Sequence, residues 1–543
     1  MQRPTPAWLQ EAVFYQIYPQ SFYDSNGDGI GDLPGITDRL DYIQSLGVSA
    51  IWLNPFFVSP FNDAGYDITD YYTVAPRYGT LADFHELVRQ AHARNIKVLF
   101  DLVVGHCSWE NAWFRASGQE QPNQYSDWFI WTGSVWTPAP PGLEVIRGFA
   151  PRMGGYATNF FVGQPAFNYG FAQPNPQYPW QQPYDAPGPL AVRAEVKNII
   201  RYWFEQGADG FRADMALSLV KGDLDGRATA TVWREIREML DREYPEHIMV
   251  AEGGDPRVSI GLGGFHVDFC LPWRMPAYNS LYRKSITNEG GSQVGVDPYG
   301  FSVFDGQGHG NIREFLDEFE RHYAVIKEVG FISIPEGNHD LHPRISQGRS
   351  PAEILQAFLF TLTMPGVPFV YYGDEIGMRT LWGLPSKEGS YDRTGVRTPM
   401  QWDNTPNAGF STAAAEQLYL PVDPASDRPT VQAQEVDPAS LLNQVRELIA
   451  LRRSRASLQA DAEWQPLHAE RGRMPVVYER RKDRERLIIA TNPTLQPATA
   501  ALKLDRLKAV RETLWGQAGA LTKDGNGWRV DLQPASGGIY LVD

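Results

Sequence analysis

Segments with the pattern of buried β-strands alternate with amphipathic helical segments along most of the 543-residue chain. In the first 105 residues the pattern predicts strands over 12–22, 49–55 and 96–104 and helices over 36–47 and 81–95. The segment 96–104, IKVLFDLVV, is apolar almost throughout, which is typical of a parallel strand buried on both faces. Because strands joined by helices run parallel with right-handed crossovers, this part of the chain predicts an α/β fold.

The alternation is interrupted once and then resumes. Residues 107–190 are rich in Pro, Gly, Trp, Tyr, Asn and Gln and have no clean period, so we interpret them as an inserted subdomain B rather than as one long loop. Further along, helices are predicted over 191–206, 229–243, 311–329, 351–363 and 440–451, and strands over 208–216, 247–254, 265–270, 330–340 and 367–378. The total of eight strands and about eight helices predicts a (β/α)8 TIM barrel.

After about residue 458 the pattern changes to short segments of alternating polarity, which predict a small antiparallel β domain. The expected organisation is therefore a barrel in two parts, 1–106 and 191–457, with subdomain B at 107–190 between them and a C-terminal β-sandwich at 458–543.

The charge balance limits the classes of partner. The chain has 49 Lys and Arg against 64 Asp and Glu, a formal charge of −15, which argues against nucleic acid and anionic membranes and fits a neutral substrate. Cys107 and Cys270, the two cysteines, exclude a disulfide scaffold. The N-terminal segment lacks the pattern of a signal peptide and no run reaches the ~18 apolar residues of a membrane span, so a cytoplasmic protein is expected. The oligomeric state stays open.

Polar side chains stand at the carboxyl ends of several predicted strands. Arg212 and Asp214 end strand four, two residues apart and so on one face, and Glu252 ends strand five. Asp340 ends strand seven and His106 ends strand three. In a barrel these ends meet at one rim, where the chemistry takes place. Three carboxylates gathered there are costly to bury without a function, and facing carboxylates are what glycoside hydrolysis requires.

Six segments, in order, then carry a resemblance to a known family: FDLVVGH (100–106), QPAFN (164–168), GFRADMA (210–216), VAEGGDP (250–256), GNHD (337–340) and MPGVPFVYYGDEIGM (364–378). They resemble glycoside hydrolase family 13, the α-amylase family, from about residue 10 to the end, and VRTPMQW (396–402) is similar to its oligo-1,6-glucosidase and α-glucosidase branch. The resemblance implies that Asp214 is the nucleophile, Glu252 the general acid/base and Asp340 the stabiliser of the transition state.

The same resemblance implies the residues that bind the sugar. Arg212 would orient Asp214 and keep it ionised, while His106 and His339 would hydrogen-bond the sugar in the cleavage subsite. Tyr66 would form the floor under the sugar ring. In GYDITDY (65–71), Asp67 would bind the terminal, non-reducing glucose, helped by Arg344 in NHDLHPR, although Arg344 lies one residue later than is usual. These two residues predict a blind pocket for one terminal glucose.

Two loops bear on metal binding. Gly105 and Ala166 replace the oxygen ligands that hold calcium between barrel and subdomain B in many relatives, so no metal is expected there. The loop DSNGDGIGD (24–32) resembles the start of an EF-hand, but Gly35 stands where the twelfth-position Glu would be. The resemblance implies one structural Ca²⁺, with Mg²⁺ as the alternative ion. Its ligands would be Asp24, Asn26, Asp28, the carbonyl of Ile30 and Asp32.

The expected activity is that of a retaining exo-α-glucosidase that releases glucose from short oligosaccharides through a glucosyl-enzyme intermediate. Three alternatives stay open: a transglycosylase or isomerase on the same scaffold, an endo-acting α-amylase, and a non-enzymatic member of the family. The non-enzymatic class predicts a transmembrane helix and lost carboxylates, neither of which the sequence has. Met215, after the proposed nucleophile, matches neither residue pattern associated with linkage, so the linkage is not predicted.

Overall fold

The computed structural model describes residues 5–136, 138–287, 293–297, 302–504, 507–516 and 519–543. Eight parallel strands form a nearly closed barrel. They are β1 Phe14–Ile17, β2 Ala50–Leu53, β3 Lys97–Leu102, β4 Gly210–Ala213, β5 Ile248–Ala251, β6 Val267–Phe269, β7 Phe331–Ser333 and β8 Phe369–Tyr371. Pairing runs β7-β6-β5-β4-β3-β2-β1-β8, and the N–H of Val367 donates to the carbonyl of Ile332 (3.2 Å) across the seam. The predicted TIM barrel is confirmed.

Helices cover the outside of the barrel, with further short ones in the loops. They are α1 Leu33–Asp38, α2 Leu40–Ser45, α3 Leu81–Ala93, α4 Ala112–Ser117, α5 Pro187–Glu205, α6 Arg227–Glu243, α7 Asn279–Tyr282, α8 Ile312–Ile326, α9 Pro351–Thr363, α10 Val431–Glu435 and α11 Leu441–Ser454. The helix predicted over 36–47 is two helices, and it begins earlier because the carboxylate of Asp32 accepts the N–H of Gly35 as an N-cap (2.6 Å). No helix in the described part of the chain is long and apolar enough to cross a membrane.

Inward-facing residues of the barrel form apolar layers below and a polar layer above. Alternate positions point inward, so the lower layers contain side chains such as Phe14, Trp52, Leu99 and Phe369, with the rings of Phe14 and Phe369 stacked at 4.3 Å. Two residues beyond Leu99 the same face of β3 carries Asp101, which pairs in register with Arg212 on β4. The two-residue alternation of side chains along the strands therefore places charged groups at the carboxyl end of the barrel, above the apolar layers of its interior.

The inserted segment after β3 has an aromatic core of its own. A short hairpin pairs Val145–Arg147 with Gly155–Ala157, and α4 packs its Phe114 against Tyr156 and Trp131. A β-bridge between His106 and Ala166 ties this segment to the rim of the barrel. The insertion is thereby fixed beside the carboxyl ends of the strands.

The C-terminal region is a sandwich of two antiparallel sheets. Its strands are β9 Glu463–His468, β10 Val476–Lys482, β11 Glu485–Asn492, β12 Ala498–Leu502, β13 Val510–Trp515, β14 Gly519–Asp524, β15 Gly527–Leu532 and β16 Ser536–Val542. The sheet orders are β9-β10-β11-β16-β13 and β12-β15-β14. At the contact with the barrel, buried Arg452 and Arg480 donate to the carbonyls of Leu362 (2.8 Å) and Thr363 (2.5 Å), which end α9.

Candidate active site

One buried guanidinium joins three carboxyl groups at the rim of the barrel. Nη1 of Arg212 donates to Oδ1 of Asp101 (2.7 Å) and Oδ1 of Asp214 (2.9 Å), while Nη2 lies 2.9 Å from Oε1 of Glu252. The second oxygen of Glu252 accepts the N–H of Met215 (2.8 Å), whose backbone is left-handed at φ 43°. Such a conformation is strained for a residue other than glycine, and here it aims an N–H at the proposed acid/base.

Asp340 is held by a separate set of cations. Its Oδ1 accepts from Nη1 of Arg393 (2.5 Å) and Nη2 of Arg397 (2.9 Å), and its Oδ2 lies 3.2 Å from Nε2 of His339. Burial alone would raise the pKa of Asp340, but His339, Arg393 and Arg397 outweigh it and hold the pKa well below its usual range. Asp340 is therefore an anion at any pH at which the protein would work.

The loop that carries Asp340 is fixed at both ends by another arginine. Buried Arg283 donates through Nη2 to the carbonyl of Glu336 and through Nε to the carbonyl of Pro343, each at 2.7 Å. Because these carbonyls flank the segment with His339 and Asp340, Arg283 holds the position of the carboxylate from behind.

A hydrogen-bonded chain sets the tautomer of His339. The amide of Gln16 donates to Oδ1 of Asn54 (2.9 Å) and to Nδ1 of His339 (2.9 Å), so the proton of the ring is on Nε2. Nε2 lies 2.6 Å from the hydroxyl of Tyr66, which in turn donates to Asp101 (3.0 Å). The rings of Tyr66 and His339 are parallel, with centroids 5.5 Å apart. Burial lowers the pKa of His339 well below its usual value, so it is a neutral donor.

Burial raises the pKa of all three carboxyl groups that contact Arg212. Burial raises the pKa of Glu252 to about 8, opposed by Arg212 and reinforced by the charge of Asp214. Burial raises the pKa of Asp214 to about 7 and that of Asp101 to about 6, in both cases opposed by Arg212. One cation cannot keep three close carboxyl groups ionised, so the three share a proton near neutral pH.

These groups line a cavity of about 590 Å³ that opens at the rim. Its walls contain Asp63, Tyr66, His106, Asp214, Glu252, Asp340 and Arg393, and further out Phe160, Phe161, Met215, Trp273 and Tyr391. Among the residues predicted to bind the sugar, Tyr66 and His106 lie in this wall. His339 and Arg212 lie directly behind it, bonded to Tyr66 and Asp214.

The structure places Asp63, and not Asp67, in the cavity wall. Both oxygens of Asp67 are used inside its own loop, where they accept from the hydroxyl of Ser59 (2.8 Å) and the N–H groups of Asn62 (3.0 Å) and Asp63 (3.2 Å). Asp67 therefore shapes the loop that presents Asp63. Asp67 is therefore not in the cavity wall, where it was predicted, and Asp63 is. In a strand, alternate side chains point to the same face, but this rule does not apply to the side chains of a loop.

Arg344 also lies elsewhere than predicted. It is fully buried and donates to Asp374 (2.8 Å) and to the carbonyls of Tyr372 (2.9 Å) and Val396 (2.7 Å), and it does not line the cavity. Arg393 occupies the cavity wall in its place. The extra residue before Arg344 in the sequence is consistent with this difference.

At the junction with the inserted segment, a lysine ammonium takes part in the hydrogen bonding. Nζ of Lys221 donates to Oδ1 of Asn159 (2.8 Å) and to the carbonyl of Ser218 (3.0 Å), and burial lowers its pKa to about 8. Nδ2 of Asn159 lies 3.2 Å from Nδ1 of His106. A Cβ at Gly105 would come within 2.7 Å of that same Nδ2, so a larger residue at position 105 would displace Asn159.

The loop 24–32 is closed by its own side chains. Asp24 accepts from the N–H groups of Gly27 (2.8 Å) and Gly29 (2.8 Å), Asn26 from that of Asp28 (2.9 Å), and Asp28 from that of Ile30 (2.8 Å). No group of three or more His, Cys, Asp or Glu side chains placed to hold a metal occurs among the described residues. Equally, no ion pair involving Asp24, Asp28 or Asp32 is found in that part of the chain.

Several residues of the site had no role in the sequence analysis, among them Asp63, Asp101, Arg393 and Arg397. Asp101 could have been found, because it lies on the inward face of β3 by the same rule that selected Asp214 on β4. Arg397 lies inside the VRTPMQW segment. Asp63 and Arg393 lie on loops whose course the local sequence does not determine.

Comparison with known proteins identifies the family of the chain. The model of the α-amylase catalytic domain matches residues 16–261 and 304–461. The chain belongs to the α-amylase family, glycoside hydrolase family 13. It is an enzyme of this family, which contains both glycosidases and transglycosylases among its relatives.

Two relatives illustrate the range of the α-amylase family. "Trehalose synthase/amylase TreS" of Mycobacterium tuberculosis is 34% identical over 486 residues, covering 82% of this chain and 75% of the relative. "Oligo-1,6-glucosidase" of Parageobacillus thermoglucosidasius is 30% identical over 500 residues, covering 82% and 84%. The crystal structure of the trehalulose synthase MutB from Pseudomonas mesoacidophila MX-45 has a TM-score of 0.79 at 24% identity, covering 99% of this chain and 100% of that one, and shows the shared fold.

Proposed function

We propose that the protein is a retaining α-glucosidase that removes the terminal glucose from short α-glucosides. The observation that carries this proposal is the convergence of three segments on Asp63. Its own loop bears it, Gln164 of the inserted segment donates to its Oδ2 (2.6 Å), and the loop with Arg393 lies close enough to lower its pKa against the effect of burial. A wall at this end of the cavity would stop a longer chain from passing through.

The proposed reaction assigns one role to each carboxyl group. Asp214 attacks the anomeric carbon while Glu252 gives its proton to the departing oxygen, and the resulting glucosyl ester is cleaved by water that Glu252 deprotonates. Asp340 stabilises the positive charge that develops on the sugar. Both Asp214 and Glu252 touch Arg212, which favours the short separation of about 5–5.5 Å that double displacement uses.

The stereochemistry of the first product tests the mechanism. In proton NMR of maltose hydrolysis followed within minutes, the α-anomer of the released non-reducing glucose should appear before mutarotation. A β-anomer first would contradict the assignment of Asp214 as nucleophile. On maltotriose, glucose should be the main early product, whereas a rapid fall in starch viscosity with release of longer chains would show endo attack.

A second candidate is an isomerase that returns the glucosyl group to the departed sugar. Similarity favours it: besides the mycobacterial protein, "Trehalose synthase" of Thermus thermophilus is 32% identical over 516 residues, covering 90% of this chain and 50% of the relative. A time course on maltose separates the two reactions. Hydrolysis gives glucose alone, whereas isomerisation accumulates a second disaccharide before free glucose.

We further propose that the loop 24–32 binds one Ca²⁺ or Mg²⁺ as a structural ion. Asp24, Asn26, Asp28, the Ile30 carbonyl and Asp32 would supply the oxygen ligands that these ions prefer. Burial raises the pKa of Asp32, and the nearby charge of Asp24 adds to the effect, so the loop concentrates negative charge. Chelation should lower the melting temperature, and Asp28→Asn should remove the response to added calcium. An unchanged melting temperature after chelation would contradict this site.

A further inference from the structure

The two halves of the active-site cavity differ in chemistry. The inner half contains the carboxyl groups, Arg393, His106 and Tyr66. The mouth, which we call the outer half, is lined by Phe160, Met215, Leu217, Trp273 and Tyr391. The backbone of Phe161 connects it, through the side chain of Gln164, to Asp63. In the proposed reaction the inner half holds the glucose, so the outer half receives the leaving group or an incoming acceptor.

Large apolar side chains are left exposed at this mouth. Phe160 is 54% exposed, Trp273 49% and Tyr391 57%. The rings of Phe160 and Phe161 lie 4.4 Å apart and those of Phe161 and Tyr391 5.6 Å apart, so they form a continuous aromatic surface, which is partly exposed among the described residues. Clustered exposed apolar groups beside an active site indicate a binding surface.

Polar groups that could serve a second sugar are few in this half. The hydroxyl of Ser218 already donates to the carbonyl of Met215 (2.8 Å) and accepts from Asn159 (3.2 Å). Among the described residues, the other polar side chains in this half are those of Arg274 and Tyr391. A hexose would exchange the hydration of several hydroxyls for these few side-chain partners, whereas an aromatic ring has no hydroxyl hydration to lose.

We propose that the outer half selects an apolar aglycone, an aryl or arylalkyl alcohol, as leaving group and as acceptor. The inference rests on the proposed function. In transfer, the acceptor oxygen forms a bond to the anomeric carbon of the glucosyl–Asp214 ester. The bond from that carbon to the carboxylate oxygen of Asp214 breaks, and the carboxylate of Glu252 takes the proton of the acceptor hydroxyl.

Competition between acceptors tests the proposal. With maltose as donor and equal concentrations of benzyl alcohol and methyl α-glucoside as acceptors, benzyl glucoside should form about tenfold faster or more. The variants Phe160→Ser and Trp273→Ala should lower this ratio, and also the ratio of kcat/KM for benzyl α-glucoside to that for maltose. Phe149→Ser is the matched control, because Phe149 is 43% exposed in the same insertion but lies outside this cavity.

Equal capture of the two acceptors, or a ratio unchanged in both variants, would overturn the inference while leaving the glucosidase proposal intact. A fall of the ratio in Phe149→Ser as large as in Phe160→Ser would also overturn it. If neither maltose nor benzyl α-glucoside released glucose, the proposed function would fail and this inference with it.

Discussion

Replacing Asp63 and Asp67 separately by asparagine separates binding of the sugar from shaping of the loop. Asp63→Asn removes a charged acceptor from the cavity wall and keeps the size of the side chain. Hydrogen bonds to charged groups contribute about 1.5–3 kcal/mol, so kcat/KM for maltose should fall by about 10- to 150-fold. Stability at neutral pH should not fall, because burial raises the pKa of Asp63 to about 7 and the neutral amide relieves that penalty.

Asp67→Asn should show the reverse pattern. Oδ1 and Oδ2 of Asp67 accept the N–H groups of Asp63 and Asn62 respectively, so an amide NH₂ must face one of these buried donors. An unpaired buried N–H costs about 1–3 kcal/mol, which should appear as a lower denaturation midpoint with unchanged m-value. Activity should change less than in Asp63→Asn.

The pH dependence gives an independent check. A carboxyl whose pKa is raised in the folded state favours folding below its unfolded pKa of about 3.9, and this contribution is lost as pH rises through about 7. The stability of Asp63→Asn relative to the wild type should therefore increase between pH 4 and 7. If Asp67→Asn lost activity at full stability while Asp63→Asn kept it, the assignment of Asp63 to the sugar would be refuted.

Three further outcomes are expected. Burst kinetics with an α-glucoside of an acidic phenol should separate the two roles, because this leaving group needs no proton. Glu252→Gln should still release the phenol rapidly, whereas Asp214→Asn should release none. An equal loss in both variants would contradict the division of roles. Arg283→Met should lower kcat by about 10²-fold with KM nearly unchanged in steady-state assays, because it positions the loop of Asp340 without lining the cavity. Arg452→Met should destabilise the protein by about 3 kcal/mol in urea, because it leaves buried carbonyls at the end of α9 without donors.

The barrel and the carboxylates on its strands were predictable for one physical reason. A strand has a side-chain period of two, so once strand positions were set, the inward face of β4 followed, and with it Arg212 and Asp214. The apolar run of β3 was located correctly, yet Asp101 was passed over because it lies inside the run rather than at its end.

Loop residues obey no such rule. Asp63 and Asp67 are four residues apart in one loop, and which of them faces the cavity depends on three hydrogen bonds that Asp67 makes to its neighbours. Arg344 follows the Asp340 segment in the sequence, as expected. Its hydrogen bonds to Asp374 and to two backbone carbonyls hold its side chain away from the cavity. Such choices are made by tertiary contacts between segments far apart in sequence, which a local pattern cannot contain.

The distribution of cations at the rim explains how similar carboxyl groups acquire different roles. Asp340 forms ion pairs with both Arg393 and Arg397, so it stays ionised. Asp101, Asp214 and Glu252 share Arg212, and Asp101 is further held by the hydroxyl of Tyr66. The second oxygen of Glu252 accepts a backbone N–H, and in the proposed reaction Glu252 carries the proton. When a sugar displaces water from the cavity, the attraction of Arg212 for Asp214 strengthens as the surroundings become less polar, and the proton stays on Glu252 until the leaving oxygen takes it.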